Sequence, residues 1–190
     1  MRIDKNNLFF CSDLHFNHKK MVVERGFDST DEMNEKLIEN WNSVVDTKGV
    51  VFFLGDFAFA NYRFIDEISK RLNGKIYFIK GNHDKLKFIK DVKKFTVLDS
   101  LLDIWVADNN NSDNIYQHIS LCHYPIHTWN RKHYGSWHLF GHTHKNFQTN
   151  HPEIVSSNLM IDVGVDCHDL FPVSYQEVKE LMQNKEIYKP

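Results

Sequence analysis

The sequence predicts an α/β fold in which two β-sheets pack face to face as a sandwich flanked by helices. Short apolar runs rich in β-branched and aromatic residues recur along the chain, and their lengths suit buried strands. Helix-like segments separate the first three runs, whereas the later runs follow one another closely. The first half therefore predicts a parallel βαβ core with right-handed crossovers, and the second half predicts a strand-dominated sheet.

Six apolar runs form the predicted strands. In chain order they are LFF (8–10), VVFFL (50–54), KIYFI (75–79), TVLDSLLDIWVA (96–107), IYQHISLC (115–122) and WHLF (137–140). Between the fourth and fifth runs, DNNNSDN (108–114) predicts a turn because Asn, Asp and Ser favour turn conformations. A last helix is predicted at about 174–184, after Pro172.

Two segments between the early strands have helical periodicity. STDEMNEKLIENWNSVV (29–45) begins with Ser29 or Thr30 as a candidate N-cap and has acidic residues in its first turn. RFIDEISKRLNG (63–74) repeats the pattern, with Gly74 expected as the residue after the helix end. Both segments place apolar residues on one face, which predicts helices packed on a sheet.

Composition predicts one globular domain over residues 1–190. Of the residues 42% are apolar and 14% are aromatic, and a net charge of −2 names no partner. The three scattered cysteines include no CxxC pair, which argues against disulfides and a thiolate zinc site and favours a cytoplasmic location. The longest purely apolar run, VVFFL, is far shorter than the roughly 20 residues that span a membrane.

Polar residues follow five of the predicted strands. Because the carboxyl ends of parallel strands form one edge of a sheet, distant residues there can share one site. His142 and His144, two residues apart, are expected on the same side of an extended segment, whereas the adjacent Asn82 and His83 are expected to point apart. The residues at these strand ends are Asp13, His15, Asp56, Asn82, His83, Asp84, His123, His142 and His144.

The donor set predicts a metal centre. Carboxylate and amide oxygens together with imidazole nitrogens suit Mn²⁺, Fe, Ni²⁺ or Zn²⁺. Seven candidate ligands are too many for one ion and fit two ions that share a carboxylate, an arrangement that acts on phosphate esters. The seven candidates are Asp13, His15, Asp56, Asn82, His123, His142 and His144.

Five motifs resemble, in order and spacing, those of the calcineurin-like metallophosphoesterases. They are D-x-H at 13–15, GD at 55–56, GNHD at 81–84, a lone histidine at 123 and GHTH at 141–144. The stretches DLHFNHKKM, MNEKLIENWNSVV and FFLGDFAFA further resemble a compact bacterial and phage branch of predicted phosphoesterases. The resemblance implies the four-layer αββα fold of that family.

The resemblance also implies a role for each residue. One ion would be held by Asp13, His15, Asp56 and His144, and the other by Asp56, Asn82, His123 and His142. His83 would be the general acid, and Asp84 would orient it. A hydroxide bridging the two divalent ions would attack phosphorus, with Mn²⁺ favoured and Fe, Ni²⁺, Zn²⁺ or Mg²⁺ as alternatives.

The expected reaction is hydrolysis of a phosphate ester, with a phosphodiester favoured because the sequence shows no arginine cluster for a terminal dianion. A phosphomonoesterase or nucleotide pyrophosphatase on the same centre is the first alternative. A non-catalytic interaction module on this fold is the second.

Substrate contacts have two interpretations. His18, Lys19 and Arg25 after the first motif, and Arg131 in a later loop, either bind substrate or belong to the ordinary surface. Segment 70–94 holds nine basic residues against two acids, which indicates either a nucleotide or oligonucleotide substrate or a solvated face. Near the end of the chain, Asp162 and Asp166 are expected to support the site from behind.

Overall fold

The computed structural model describes residues 1–108, 116–183 and 185, and within them two five-stranded sheets face each other. The strands are β1 (Arg2–Asp4), β2 (Leu8–Cys11), β3 (Val50–Phe53), β4 (Lys75–Phe78), β5 (Phe95–Val97), β6 (Leu101–Ala107), β7 (Tyr116–Cys122), β8 (Trp137–Phe140), β9 (Met160–Asp162) and β10 (Val173–Ser174). The helices are α1 (Lys19–Glu24), α2 (Thr30–Val44), α3 (Tyr62–Arg71), α4 (Leu86–Ile89), α5 (Asn146–Asn150), α6 (Pro152–Ser156) and α7 (Tyr175–Gln183).

The strand order confirms the predicted α/β sandwich. The first sheet has the order β10-β2-β3-β4-β5, in which β2 to β5 run parallel and β10 is antiparallel to β2. The second sheet has the order β1-β6-β7-β8-β9, in which β7, β8 and β9 run parallel and β6 is antiparallel to β7. Each sheet therefore presents an edge of carboxyl strand ends, as the sequence predicts.

Two apolar cores hold the layers together. Between the sheets, Phe10 and Phe52 pack in one buried cluster with Leu121 and Leu139 of the opposite sheet. On the outer face of the first sheet, helices α2 and α3 bury their apolar faces in a second cluster that includes Trp41. Each fully buried aliphatic or aromatic side chain contributes roughly 1.5–3 kcal/mol to folding, so these clusters fix the positions of the strand ends.

The helix boundaries follow local chemistry. Ser29 is the N-cap of α2, since its side chain accepts a hydrogen bond from the Glu32 N–H. Helix α3 ends at Arg71, and Leu72 already has an extended backbone. Gly74 is therefore not the residue that ends α3, contrary to prediction. Its φ of +78° instead forms the turn into β4, where a Cβ would lie 2.7 Å from the Gly49 carbonyl oxygen.

One predicted strand proves to be two. The run at 96–107 divides into β5 and β6, which belong to opposite sheets. The turn-forming residues Asp99 and Ser100 separate the strands, and the chain crosses there from one layer to the other. The short strands β1 and β10 were not predicted because three- and two-residue pairings leave no periodicity. Most of the turn predicted at 108–114 lies outside the described residues.

Cys11, Cys122 and Cys167 are free thiols. Across the described ranges, the helices fall short of the length and apolar character that a membrane crossing requires. The cytoplasmic location stays a prediction.

Candidate metal centre

Loops from both sheets meet at one end of the sandwich, beyond the carboxyl ends of β2, β3, β4, β7 and β8. Three loops come from the first sheet and two from the second, and each carries predicted ligands. Two groups place ligand atoms within 4.8 Å of one another: Asp13, His15 and His144 form the first group, and Asp56, His123 and His142 form the second.

Asp56 lies between the two groups. Its Oδ2 atom is 3.8 Å from His15 Nε2 in the first group and 3.5 Å from His123 Nε2 in the second. Asn82 joins the second group, because its Oδ1 atom is 2.9 Å from His123 Nε2. The structure thus brings all seven predicted ligands into one cluster, called the metal cluster below, around a carboxylate that faces both groups.

A buried polar atom without a partner shows that the metal cluster fits a cation. Asp13 Oδ1, which faces His15 Nε2 at 3.8 Å, is buried and has no hydrogen-bond partner among the described residues. Burial raises the pKa of Asp13 to about 7 and lowers the pKa of His15 to about 3. An unpartnered buried carboxylate oxygen costs free energy that a divalent ion would offset. The oxygen and imidazole donors also suit such an ion chemically.

Hydrogen bonds orient two of the imidazoles. His144 Nδ1 lies 2.6 Å from Asp166 Oδ2, and His123 Nδ1 lies 2.7 Å from the Leu54 carbonyl oxygen. A neutral ring that donates through Nδ1 presents the lone pair of Nε2, the nitrogen that points into the metal cluster. The facing Nε2 atoms of His15 and His144 are 3.1 Å apart, close enough to bind one ion together.

The loops that carry the ligands adopt an uncommon backbone. Five predicted ligands have positive φ, in the left-handed region where residues other than glycine are rare: Asp13 (59°), His15 (50°), Asp56 (61°), His142 (73°) and His144 (46°). The prediction that His142 and His144 project from an extended segment is therefore wrong. Backbone in this region costs about 1–3 kcal/mol per residue and is concentrated at functional sites.

Two glycines allow the loops to approach closely. A Cβ at Gly141 would lie 2.1 Å from Ser12 Oγ and 2.5 Å from Asp13 Oδ2. A Cβ at Gly81 would lie 2.2 Å from Asp56 Oδ1. No side chain fits at either position. Glycine is required at 141 for loops of the two sheets to meet, and at 81 for the neighbouring loops after β3 and β4 of the first sheet to meet.

Asp84 anchors the main chain, not the His83 ring. Its Oδ2 accepts hydrogen bonds from the N–H groups of Asp56 and Gly81, both at 2.8 Å, and its Oδ1 accepts one from Phe57 at 3.0 Å. The buried carboxylate is thus occupied by backbone donors. The prediction that Asp84 orients His83 is wrong, and Asp84 instead fixes the loop that carries Asp56.

His83 lies at the open rim of the metal cluster. Its side chain is 46% exposed, and its Nε2 atom is 3.9 Å from Asp56 Oδ2. The His83 N–H donates to Asp56 Oδ1 at 2.8 Å, which ties the backbone of the predicted acid to the central carboxylate. The His83 ring is 4.7 Å from the Phe59 ring, centroid to centroid. It therefore faces both solvent and the metal cluster.

Arg25 supports the site from within the protein. Its side chain is only 3% exposed, and its guanidinium donates twice to Asp166, at 2.8 and 3.0 Å. It also donates to the carbonyl oxygens of Asp13 and Leu14, both at 2.8 Å. Neither interpretation of Arg25 is correct. Its guanidinium is hydrogen-bonded to internal partners, so it is not a substrate contact, and its side chain is buried, so it does not belong to the ordinary surface.

Asp166 and Asp162 lie behind the metal cluster. Burial opposes ionisation of Asp166, but hydrogen bonds from His144 and Arg25 hold its pKa below the ordinary range. Asp162 accepts a hydrogen bond from Thr143 Oγ1 at 2.5 Å, between the two histidines of the GHTH motif. Their placement agrees with the expectation that both acids support the site.

The other predicted substrate contacts lie in different places. His18 caps α1 by accepting from the Met21 N–H, and its ring centroid is 5.3 Å from that of His15. Lys19 is exposed at the first residue of α1. Arg131 packs over Tyr134 and lines a separate cavity of about 360 Å³ that none of the seven predicted ligands touches. The structure does not bring Arg131 to the metal cluster, so the substrate-contact interpretation is wrong and the ordinary-surface interpretation is the one that its exposed position supports.

Comparison with known proteins agrees with this geometry. Residues 7–146 match the family model described as calcineurin-like phosphoesterase. The uncharacterized protein MJ1445 of Methanocaldococcus jannaschii is 31% identical over 186 residues, which cover 96% of this chain and 94% of that protein. The Gene 66 protein of Mycobacterium phage D29 is 29% identical over 205 residues, covering 95% and 98% respectively.

A solved structure shares the fold. AQ665 from Aquifex aeolicus, described as a protein of unknown function, has a TM-score of 0.65 at 22% identity, and the match covers 92% of this chain and 98% of that one. At this identity the likeness supports the fold alone. The family model and the archaeal relative extend over the five motifs, and this chain belongs to the calcineurin-like phosphoesterase family.

Proposed function

We propose that the protein is a metal-dependent phosphoesterase that uses two divalent ions, with Mn²⁺ favoured, to hydrolyse phosphodiesters. One observation carries the proposal: Asp56 Oδ2 lies between two groups of donors, 3.8 Å from His15 Nε2 and 3.5 Å from His123 Nε2. A carboxylate in this position is suited to bridge two ions. The unpartnered Asp13 Oδ1 beside it is suited to bind one of them.

The proposed ligand sets divide the metal cluster. Asp13, His15, Asp56 and His144 would hold one ion, and Asp56, Asn82, His123 and His142 would hold the other. Bound there, two divalent ions supply an activated water for attack on phosphorus and neutralise charge on the phosphoryl oxygens. The protein holds the donors in place through the buried hydrogen bonds of Asp84, Asp166 and Leu54.

His83 is the proposed proton donor to the departing oxygen. Its exposed ring borders the metal cluster, so a substrate phosphate there would lie beside it. An exposed imidazole can exchange its proton with solvent between turnovers, and general acid catalysis of this kind contributes typically 10²–10⁴-fold. His83→Asn removes this proton donor, so the rate should fall within that range while metal binding is retained.

The preference for diesters rests on the charged side chains that follow the D-x-H motif at 13–15, in the segment called the first loop here. Recognition of a terminal phosphate dianion commonly uses bidentate arginine. Arg25, the arginine of that loop, is committed to Asp166 and to two carbonyl oxygens. The loop therefore presents lysine and histidine, not a guanidinium, which favours the singly charged phosphate of a diester.

Hydrolysis of two model compounds tests the proposal. With Mn²⁺ bound, we expect faster turnover of bis-p-nitrophenyl phosphate than of p-nitrophenyl phosphate. Faster monoester turnover would favour the phosphomonoesterase or pyrophosphatase alternative. Metal-loaded protein that hydrolyses no phosphoester in a panel of cyclic nucleotides, nucleotide diphosphates, RNA, DNA and model esters would favour the non-catalytic interaction module. Repeating the diester assay with Fe²⁺, Ni²⁺, Zn²⁺ and Mg²⁺ tests the metal preference.

A further inference from the structure

A cavity of about 560 Å³ opens beside the proposed proton donor. We call it the Phe59 cavity, after the side chain on its wall; its lining includes Ala58, Phe59, Asn61, Ile65, His83 and Phe88. Ala58, Ile65 and Ile89 are buried and give it an apolar floor. Its volume lies within the range of about 300–1,000 Å³ typical of small-molecule sites.

The position of the Phe59 cavity relates it to the departing group of a substrate. Asn82 and His83 belong both to its wall and to the edge of the metal cluster. If a phosphate occupies the metal cluster, His83 lies on the side of the oxygen that it protonates. A group attached to that oxygen therefore extends into the Phe59 cavity.

Two aromatic rings line the Phe59 cavity. Phe59 is 38% exposed, and its ring centroid lies 3.8 Å from that of His18 and 4.7 Å from that of His83. Phe88 is half-buried and packs against the core beneath α3 and α4. Exposed aromatic faces in a concave site are suited to stack on a flat ring.

The polar groups narrow the class of ligand. Asn61 Oδ1 accepts a hydrogen bond from the Phe64 N–H. Within the described part of the chain, the amide nitrogen of the same side chain makes no hydrogen bond and can donate to an acceptor on a ring. Lys85 and Lys87 place their ammonium groups 5.9 and 5.0 Å from the Phe88 ring centroid. A flat ring with hydrogen-bonding atoms next to a negative charge is the chemistry of a nucleotide.

We propose that the Phe59 cavity binds the base of a nucleotide that forms the departing side of the phosphodiester, and that Phe59 determines this specificity. The inference rests on the proposed function. The base stacks on Phe59, Asn61 hydrogen-bonds to the edge of the base, and Lys85 on the cavity wall attracts a phosphate of the nucleotide. Substrates whose departing alcohol carries no base lose these contacts.

Binding to the metal-free protein tests the cavity without catalysis. In saturation-transfer NMR, adenosine monophosphate should receive saturation on its base protons, whereas ribose 5-phosphate should not bind measurably. Phe59→Ala should reduce the affinity for adenosine monophosphate about tenfold, which is the effect of losing one stacking contact with a base. Phe59→Tyr keeps a ring and should restore binding. Leu86→Ala, on the exposed side of α4, is the matched control.

Kinetics then separates this inference from the proposed function. With Mn²⁺, a dinucleotide is compared with the same dinucleotide lacking the base on its departing nucleoside. Phe59→Ala should raise KM for the first about tenfold and leave KM for the second unchanged. Hydrolysis of neither compound by the parent protein would refute the proposed function. Equal hydrolysis of both, or adenosine monophosphate binding that is absent or insensitive to Phe59→Ala, would overturn the assignment of the cavity alone.

Discussion

His144 Nδ1 lies 2.6 Å from Asp166 Oδ2, and the same carboxylate receives two hydrogen bonds from Arg25. The guanidinium continues the chain of contacts to the carbonyl oxygen of Asp13, so the two ends of the first group are connected behind the metal cluster. This connection sets the direction in which His144 presents Nε2. It also explains why the side chain of Arg25, which follows a short helix near the surface, is buried.

Asp166→Asn should weaken one metal site. The amide cannot accept from His144 and Arg25 with the same strength, and loss of such a supporting carboxylate typically reduces metal affinity about 10–100-fold. Calorimetric titration with Mn²⁺ should show one weakened site and one retained site. Asp169→Asn, at an exposed neighbouring position, is the control and should bind as the parent does. Unchanged affinity in Asp166→Asn would show that His144 needs no such support.

Asp84→Asn should destabilise the protein even without metal. The Asp84 carboxylate accepts three backbone N–H groups, and an amide side chain would turn a donor toward one of them. Leaving one buried amide unsatisfied costs about 1–3 kcal/mol. Urea unfolding of metal-free protein measures the loss, with exposed Asp91→Asn as the control. If stability were unchanged and only the pH profile of turnover moved, Asp84 would act through His83 after all.

Gly141→Ala should impair both folding and metal binding. Its Cβ would overlap Ser12 Oγ and Asp13 Oδ2, at 2.1 and 2.5 Å, and overpacking of this kind costs about 1–3 kcal/mol. Gly26→Ala is a useful contrast, since nothing lies within 4 Å of its Cβ and only its φ of +75° is strained. Both variants should unfold at lower urea concentration. Only Gly141→Ala should weaken Mn²⁺ binding, and equal affinities would contradict the steric argument.

His138 should make stability depend on pH. This residue of β8 is fully buried, its Nδ1 faces the Ser120 carbonyl oxygen at 3.1 Å, and burial lowers its pKa from 6.5 to about 4. Between pH 6.5 and 4 the unfolded chain binds a proton that the folded chain does not, so stability falls as pH decreases. The loss from this residue approaches about 3 kcal/mol near pH 4 and is absent above the unfolded pKa.

Urea unfolding of the metal-free protein at several pH values between 7.5 and 4.5 measures this effect. His138→Gln should be less stable than the parent at pH 7.5, yet its stability should fall less steeply toward acid. His133→Gln changes an exposed histidine and should follow the parent. Parallel curves for the parent and His138→Gln would show that another group carries the acid sensitivity.

Much of the fold and of the site could be predicted because the end of an apolar run in the sequence marks the end of a strand. Asp56 and His123 follow apolar runs directly, and the edge of a parallel sheet is where such residues gather. The division of run 96–107 into β5 and β6 was missed because apolar residues continue across Asp99 and Ser100. A run that passes from one sheet to the other keeps its composition, and only tertiary pairing reveals the crossing.

The missed contacts depend on three-dimensional competition for hydrogen bonds. Asp84 is predicted to orient the His83 ring because the two residues are adjacent in sequence. In the structure its carboxylate instead accepts hydrogen bonds from three backbone N–H groups of two loops. Arg25 is a candidate substrate contact because it lies in a loop near the ligand edge, and the sequence gives no sign that its partner is Asp166, which is far away in the chain. The left-handed backbone of the ligand loops is likewise not determined by residue type. Asp and His adopt positive φ more often than most residues, but still at only a minority of their positions.

The donors of the metal cluster come from both layers of the sandwich. Asp13, His15, Asp56 and Asn82 follow strands of one sheet, whereas His123, His142 and His144 follow strands of the other. A bound ion would thus connect the two sheets, and its binding free energy would stabilise their packing against separation. Chelation should therefore loosen this edge of the molecule first, while the apolar layer between the sheets holds the opposite edge closed.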